Sequence, residues 1–196
     1  MKGIVLLGIS ALFVVGLAAC GGSSQPSYPV TPVIPESGGS RFAPDFKIVA
    51  YQGEEVLGGK EVPLSSLFSR DLTQRKPVVL NFWAGACPPC RVEMPDLQEV
   101  YEEYQGQVLL LGLDVGPFVG LGSREEGRAL LEELKVTYPA GTTFDANVVR
   151  EYRILGMPTT VFIKPNGEVV RNWAGLLNKD KMTELVEELL AASSGT

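Results

Sequence analysis

The chain has 196 residues, 45% of them hydrophobic, and a formal net charge of −6 at pH 7. This length is enough for one domain with a buried core, and the acidic balance argues against nucleic acid as a partner. With three cysteines and no histidine, these two residue types cannot supply the four ligands that a structural zinc site takes.

The first 19 residues are predicted to be a signal peptide. Lys2 precedes an almost unbroken apolar run over residues 4–17, as in the basic and hydrophobic regions of secretory signals. A membrane-spanning anchor is the alternative, and such a helix needs about 20 apolar residues. The sequence Leu17-Ala18-Ala19-Cys20 resembles the bacterial lipobox, which implies cleavage before Cys20 and lipid attachment to that cysteine.

Residues 20–41 have the composition of a tether. Glycine, serine and proline dominate this stretch, and it has too few apolar residues to form a core. Its reach is roughly a few nanometres, because proline stiffens one part and glycine loosens another. We therefore expect an extracytoplasmic domain, residues 42–193, that is anchored to a membrane through Cys20.

The first part of the domain is predicted to be a β-hairpin. Residues 47–51 and 61–64 have strand character, and a Gln52-Gly53 turn follows the first of them. Residues 71–76 are polar and are predicted to form a loop that leads into the central strand.

A buried strand and a helix are predicted to meet at a pair of cysteines. Residues 78–82 form a short branched, uncharged run of the kind found in strands that are buried on both faces. A one-sided helix is predicted from Pro88, because apolar residues then recur at helical spacing among glutamates and because proline is favoured at the first helical position. Cys87 then caps this helix, with Cys90 about one turn further on.

This position favours a redox function for the two cysteines. The positive end of the helix dipole lowers the pKa of a thiol at the N-cap, which makes Cys87 the predicted nucleophile and Cys90 its disulfide partner. One half of a zinc site and a purely structural disulfide are the other interpretations of a Cys-x-x-Cys sequence.

The longer sequence around the cysteines resembles one branch of the thioredoxin superfamily. Residues 81–95, with Asn-Phe-Trp-Ala followed by Cys-Pro-Pro-Cys-Arg-x-Glu-Met-Pro, are similar to the extracytoplasmic TlpA/ResA-like proteins. The resemblance implies an α/β thioredoxin-like fold: a central mixed β-sheet flanked by helices, with an N-terminal β-hairpin and a helical insertion. It also implies a monomeric thiol-disulfide oxidoreductase without a metal or other cofactor, which reduces protein disulfides such as that of apocytochrome c and receives electrons from a membrane thiol reductase.

The remaining elements follow from hydrophobic periodicity and turn signals. Residues 108–113 are predicted to form a strand parallel to the central one, and Ser123 and Glu126 fit a capping box that opens the insertion helix. Asn166-Gly167 is a strong hairpin signal. The other predictions are a loop over 116–122, an extended segment over 138–144, a helix over 147–154, strands over 159–163 and 168–173, and a final helix over 180–190.

Four further residues are assigned supporting roles by the resemblance. The sequence from Gly156 to Thr160 matches the cis-proline loop of the superfamily, so Pro158 is predicted to be cis and Met157 to offer backbone groups to an extended substrate. Glu93 occupies the position of the family's proton-relay or pKa-tuning carboxylate. Its alternative role is that of a solvated acid in the first turn of the helix. Trp83 is expected to pack under the dithiol.

The chain departs from related patterns at two points. Thioredoxin has a buried Asp where this chain has Asn81, which cannot take up a proton, and the family usually has Trp at the position of Ala86. The loss of that ring opens the surface around Cys87.

Three other classes of protein remain open. A peroxiredoxin would have Pro and Thr in place of Leu80 and Ala84, and a copper-delivery protein of the Sco type needs wider cysteine spacing and a histidine. A non-catalytic, lipid-anchored interaction module with an idle disulfide is the third.

Overall fold

The computed structural model describes residues 41–68 and 76–194, all of which belong to the compact unit Gly39–Thr196. The predicted signal peptide and Cys20, nearly all of the tether, and most of the loop over 71–76 lie outside the described residues. Within these ranges seven strands form one mixed sheet in the order β2-β1-β5-β4-β3-β6-β7. The strands are β1 (Lys47–Gln52), β2 (Glu61–Pro63), β3 (Val78–Trp83), β4 (Leu109–Asp114), β5 (Ala140–Thr142), β6 (Thr159–Ile163) and β7 (Val169–Ala174).

Helices connect and cover these strands. In the part of the chain that the structure describes they are α1 (Glu54–Leu57), α2 (Pro88–Glu103), α3 (Gly116–Val119), α4 (Arg124–Glu133), α5 (Asn147–Glu151) and α6 (Lys179–Ser194), together with a 3₁₀ turn, Leu64–Leu67. None of the helices described for residues 41–68 and 76–194 has the length and apolar character needed to cross a bilayer.

Strand β3 occupies the inner part of the sheet. It pairs in parallel with β4 along its whole length and antiparallel with β6. The connection from β3 to β4 runs through α2, as expected for parallel neighbours. The carboxyl ends of β3 and β4 therefore lie at the same edge of the sheet, where β3 continues into the two cysteines.

The two faces of β3 supply two separate hydrophobic cores. Val79 and Trp83 point toward a core formed with α2, α4 and α6, whereas Leu80 and Phe82 point toward a core formed with the N-terminal hairpin and α5. This alternation is the side-chain period of a strand that is buried on both faces. The thioredoxin-like α/β fold predicted from the sequence is confirmed, including the N-terminal hairpin and the insertion helix.

Three connections differ from the sequence-based expectations. The N-terminal hairpin is closed by α1 and a following turn rather than by Gln52-Gly53 alone, because Gly53 and Gly58 adopt left-handed backbone conformations at the two ends of this helix. The predicted loop over 116–122 contains α3, which ends at the left-handed Gly120. The helix predicted over 147–154 ends at Glu151. Such one-turn helices have weak sequence signals, because tertiary packing rather than propensity stabilises them.

Candidate active site

The two cysteines lie at the junction of β3 and α2. Cys87 is the N-cap residue of α2, and its Sγ accepts a hydrogen bond of 3.2 Å from the backbone N–H of Cys90. The two sulfur atoms form a disulfide, with a distance of 5.3 Å between the Cα atoms. The pairing predicted from the sequence is thus present, and the structure describes the oxidised form. Pro88 and Pro89 fill the first two helical positions and have no N–H to offer.

The two sulfurs differ in their access to solvent. Cys87 is 3% exposed and Cys90 is fully buried, while Ala86, Pro88 and Pro89 around them are exposed. Cys87 therefore lies just below the surface among exposed neighbours, whereas the remainder of the protein covers Cys90 completely. This asymmetry distinguishes an attacking thiol from a resolving thiol.

Glu93 lies inside the protein, one turn after Cys90 on the same helix. The side chain has no solvent exposure. Its Oε1 accepts a hydrogen bond of 2.8 Å from Asn81 Nδ2, and its Oε2 accepts one of 3.0 Å from the backbone N–H of Leu177. Burial raises the pKa of Glu93 to about 7, although both hydrogen bonds act in the opposite direction. The interpretation of Glu93 as a solvated acid in the first turn is therefore wrong.

Asn81 links this carboxylate to the neighbouring strand. Its Nδ2 also donates a hydrogen bond of 3.0 Å to Thr160 Oγ1 on β6. The residue is fully buried and lies on the same face of β3 as Trp83. Asn81 stands where thioredoxin has a buried Asp. It has a structural role here, because its amide connects Glu93 of α2 with Thr160 of β6.

The loop before β6 has the backbone conformation that the resemblance implied. The bond between Met157 and Pro158 is cis, and the Pro158 carbonyl accepts a hydrogen bond of 2.9 Å from the N–H of Gly175. Met157 is half-buried and contacts both hydrophobic cores. In the described part of the chain, no hydrogen-bond partner is found for its backbone N–H or C=O.

The loop over residues 84–87 rests directly on the insertion. The N–H of Ala86 donates a hydrogen bond of 2.8 Å to the carbonyl of Leu121. A Cβ on Gly85 would lie 2.6 Å from the backbone nitrogen of Gly127 in α4, so these two segments touch through their backbones. Trp83 is completely buried in the same hydrophobic core as the two cysteines.

Comparison with known proteins identifies the family. A model of the AhpC/TSA family matches residues 40–172, which is more than half of the chain. The chain belongs to the AhpC/TSA family. Among curated relatives, the thiol-disulfide oxidoreductase ResA of Oceanobacillus iheyensis is 33% identical over 150 residues, which cover 75% of this chain and 70% of the relative. The sporulation thiol-disulfide oxidoreductase A of Bacillus subtilis is 26% identical and is matched over 56% of this chain and 66% of its own length.

Solved structures of thioredoxin and thiol-disulfide interchange proteins share this fold. One of them, the exposed lipoprotein thioredoxin of Streptococcus pneumoniae, superposes with a TM-score of 0.60 at 23% identity, over 74% of this chain and 99% of that chain. The sequence predicted a thiol-disulfide oxidoreductase. The curated relatives of the chain confirm this enzyme class.

A second buried carboxylate near this site was not predicted. Asp114 ends β4 beside Trp83 and is fully buried. Its Oδ2 accepts a hydrogen bond of 3.0 Å from the Tyr51 hydroxyl, and its Oδ1 accepts one of 2.9 Å from the N–H of Gly116. Burial raises the pKa of Asp114, and the hydrogen bonds and nearby arginines lower it.

A sequence signal for Asp114 was nevertheless available. An acid that follows an uncharged buried strand marks the carboxyl end of that strand, and in parallel sheets these ends meet at one edge. Asn81 and Leu177 carry no comparable signal, since they act on Glu93 through an amide and a backbone N–H that only the fold brings to it.

Proposed function

We propose that the chain is a membrane-tethered, extracytoplasmic reductase of protein disulfides. One observation carries this proposal: the cysteine that caps α2 keeps a small exposed fraction among exposed neighbours, while its disulfide partner is fully buried one helical turn before a buried carboxylate with a raised pKa. Cys87 then serves as the nucleophile and Cys90 as the resolving thiol. Pro158 and Met157 position the substrate, and Trp83 supports the loop.

The reaction transfers two electrons from the dithiol to the substrate. In the reduced form the Cys87 thiolate attacks one sulfur of a substrate disulfide, so that bond breaks, a mixed disulfide forms and one substrate thiolate leaves. Cys90 then loses its proton and attacks Cys87. The mixed disulfide breaks, the bond between Cys87 and Cys90 forms, and the second substrate thiolate leaves.

Glu93 is the proposed acceptor for the Cys90 proton. A buried thiol is a poor nucleophile until it is deprotonated, and residues three apart on a helix share a face. A carboxyl group with a pKa of about 7 can exchange a proton near neutral pH, as a general base must. This supports a relay role that an ordinary surface glutamate would not fill.

The start of α2 favours reduction over oxidation. Pro88 and Pro89 cannot donate hydrogen bonds to a Cys87 thiolate, which leaves the N–H of Cys90 as the donor seen in the structure. Fewer donors mean a smaller decrease in pKa and a less stabilised reduced form than in strong oxidases, whose cysteine pKa is about 3.5. We expect a titration of thiolate absorbance to place Cys87 nearer to the value of about 7 found in thioredoxin. A value at the oxidase end would reverse the direction.

Trapping tests the reaction and names the substrate. In a Cys90→Ser variant the mixed disulfide on Cys87 cannot be resolved, so the substrate should remain attached through a bond that dithiothreitol releases. Mass spectrometry of the released proteins then identifies it. A Cys87→Ser variant is the matched control and should trap nothing. Equal recovery from both variants, or full biological activity of Cys87→Ser, would favour an interaction module.

The proposed cellular setting rests on the N-terminal sequence and has support from one structural neighbour. Cys20 is proposed to carry lipid, with residues 1–19 as signal peptide and 20–41 as tether to the domain over 42–193. The pneumococcal protein, which is an exposed lipoprotein thioredoxin, supports this arrangement. The substrate is proposed to be an oxidised protein such as apocytochrome c, and a membrane thiol reductase is proposed to return the electrons. Labelling with a clickable fatty acid should mark the wild type and not Cys20→Ser.

A peroxidase reaction is not supported by the surroundings of Cys87. Leu80 and Ala84 are buried apolar residues at the positions where peroxiredoxins carry Pro and Thr, so they offer no hydroxyl to a peroxide. The purified protein is expected to consume peroxide slowly compared with its reduction of protein disulfides.

A further inference from the structure

A groove of about 560 Å³ lies between α3, α5 and the segment that leads to Pro158. Its lining residues are mostly apolar and are Phe118, Ala146, Val149, Arg150, Arg153, Ile154 and Leu155. Leu155 is 95% exposed, which is unusual for a large apolar side chain on a protein surface with no partner. The groove therefore exposes contiguous apolar surface to water, which is typical of an interaction site.

The charged residues that line this groove are positive, although the net charge of the protein is negative. Both of these residues are arginines, and the chain as a whole has a net charge of −6. Arg150 donates a hydrogen bond of 3.0 Å to the neutral side chain of Asn147. Within residues 41–68 and 76–194, neither Arg150 nor Arg153 has a carboxylate within ion-pair distance. The two guanidinium groups are thus free to bind an acid from another molecule.

A third arginine extends this character toward the insertion. The guanidinium of Arg124 lies 4.4 Å from the ring centroid of Phe144 and 5.8 Å from that of Phe118. Phe144 is 70% exposed. Arg124 also donates a hydrogen bond of 3.1 Å to the carbonyl of Thr143, so it adds positive charge near the Phe118 end of the groove without lining it. The two arginines of the groove, beside its apolar residues, complement a segment in which acidic side chains flank an apolar one.

The position of the groove connects it with the dithiol. Leu155 precedes Met157 by two residues, and the backbone N–H and C=O of Met157 have no partner among the described residues. An extended chain advances about 3.3 Å per residue. A substrate strand that pairs with Met157 therefore passes close to Leu155 at the rim of the groove.

We propose that this groove binds the substrate protein itself, at an extended segment near the reacting cysteine in which acidic residues flank an apolar one. The inference rests on the proposed function, because it assigns a specificity site to that reaction. The apolar side chain enters between Phe118 and Ile154, and the acidic groups pair with Arg150 and Arg153. Charge complementarity of this kind selects partners and increases the association rate.

Matched disulfide peptides test the proposal. Each peptide carries one Cys-x-x-Cys disulfide, flanked on both sides by Asp-Leu-Asp in one peptide and by Lys-Leu-Lys in the other. We expect the reduced full-length wild type to show a kcat/KM about fivefold higher for the acidic peptide at low salt, and this preference to shrink as salt is added. Equal values for the two peptides would overturn the proposal.

Three variants locate the effect in the groove. Arg150→Glu combined with Arg153→Glu should invert the preference, and Leu155→Ser should reduce kcat/KM for both peptides. Arg153→Gly should weaken the preference without loss of stability, since Arg153 has a φ of 51° that glycine adopts more readily. The matched control is Lys60→Glu combined with Arg171→Glu, which changes the net charge equally outside the groove and should keep the preference of the wild type.

The outcomes separate this proposal from the proposed function. A wild type that reduces neither peptide nor any small aromatic disulfide contradicts the reductase itself. A wild type that reduces both peptides at one rate, or a preference that survives the double arginine reversal, contradicts the groove alone. Two other occupants of the groove are tested with the same double arginine variant. If the wild type binds anionic vesicles more strongly than neutral ones, or self-associates in sedimentation experiments, and the double variant does not, the groove binds lipid or a second copy of the chain and the assignment to a substrate is overturned.

Discussion

Asn81 on β3 donates a hydrogen bond of 2.8 Å from its side-chain amide to the Glu93 carboxylate on α2, inside the protein. We expect Asn81→Leu to raise the pKa of Glu93 above about 7, because the carboxylate then keeps only the N–H of Leu177 as a donor. The variant should lose about 1.5–3 kcal/mol at pH 8, where Glu93 is ionised, and less at pH 5. Urea unfolding at both pH values measures this difference.

Thr160→Val is the control for this experiment. It removes the second acceptor of the Asn81 amide and leaves the hydrogen bond to Glu93 in place. A pH dependence like that of the wild type is expected for Thr160→Val. An equal pH effect in both variants would show that Asn81 acts through general packing.

The raised pKa of Glu93 predicts how stability depends on pH. Because the folded-state pKa, about 7, lies above the ordinary value of 4.5, the folded protein binds one more proton than the unfolded chain between these pH values. Stability of the oxidised form should therefore fall as pH increases from 4.5 to 7, by up to about 3 kcal/mol. Glu93→Gln should remove this decline, whereas Glu55→Gln, at an exposed position, should leave it unchanged.

Gly127 should tolerate no side chain. It lies inside α4, where alanine normally favours the helix by about 1 kcal/mol, but a Cβ there would overlap Asp114 Oδ2 and approach the ring of Trp83. We expect Gly127→Ala to destabilise the protein by about 1–3 kcal/mol. At Gly156 a Cβ meets nothing within 4 Å, so Gly156→Ala should be neutral or slightly stabilising. Thermal unfolding of the two variants makes the comparison.

Tyr51→Phe tests the second buried carboxylate. The variant keeps the ring, which Arg128 covers at 4.3 Å, and removes the hydroxyl that donates to Asp114. Loss of a hydrogen bond to a buried carboxylate predicts a destabilisation of about 1.5–3 kcal/mol at neutral pH. The destabilisation should be smaller at acidic pH, because a protonated Asp114 carboxyl group gains less from the hydrogen bond that Tyr51 donates. Tyr101→Phe, on the half-buried face of α2, should change the free energy of unfolding by less than about 0.5 kcal/mol.

The elements that surround Cys87 were predictable because their signals are local. Uncharged residues in β3, proline at the start of α2 and the capping box of Ser123 and Glu126 each specify their element within a few residues. Long amphipathic helices such as α6 are equally clear, since their apolar residues recur over several turns.

The contacts of Glu93 were beyond sequence reasoning for a physical reason. Its partners lie 12 residues before it and 84 residues after it, and one of them is a backbone N–H with no side-chain signature. The resemblance assigned Glu93 its role from its position three residues after Cys90. The sequence could not show that the side chain is buried, because its partners come from β3 and from the segment between β7 and α6.

The contact between Gly85 and Gly127 has a consequence for engineering. Two glycines on separate segments let the dithiol loop and the insertion approach at backbone distance, and the hydrogen bond from Ala86 to Leu121 joins them a second time. Grafting the Cys-Pro-Pro-Cys sequence alone onto a thioredoxin without this insertion would leave the loop unsupported on one side. The transferable module is the loop together with α3 and α4, and a chimaera that respects this unit is the one to build.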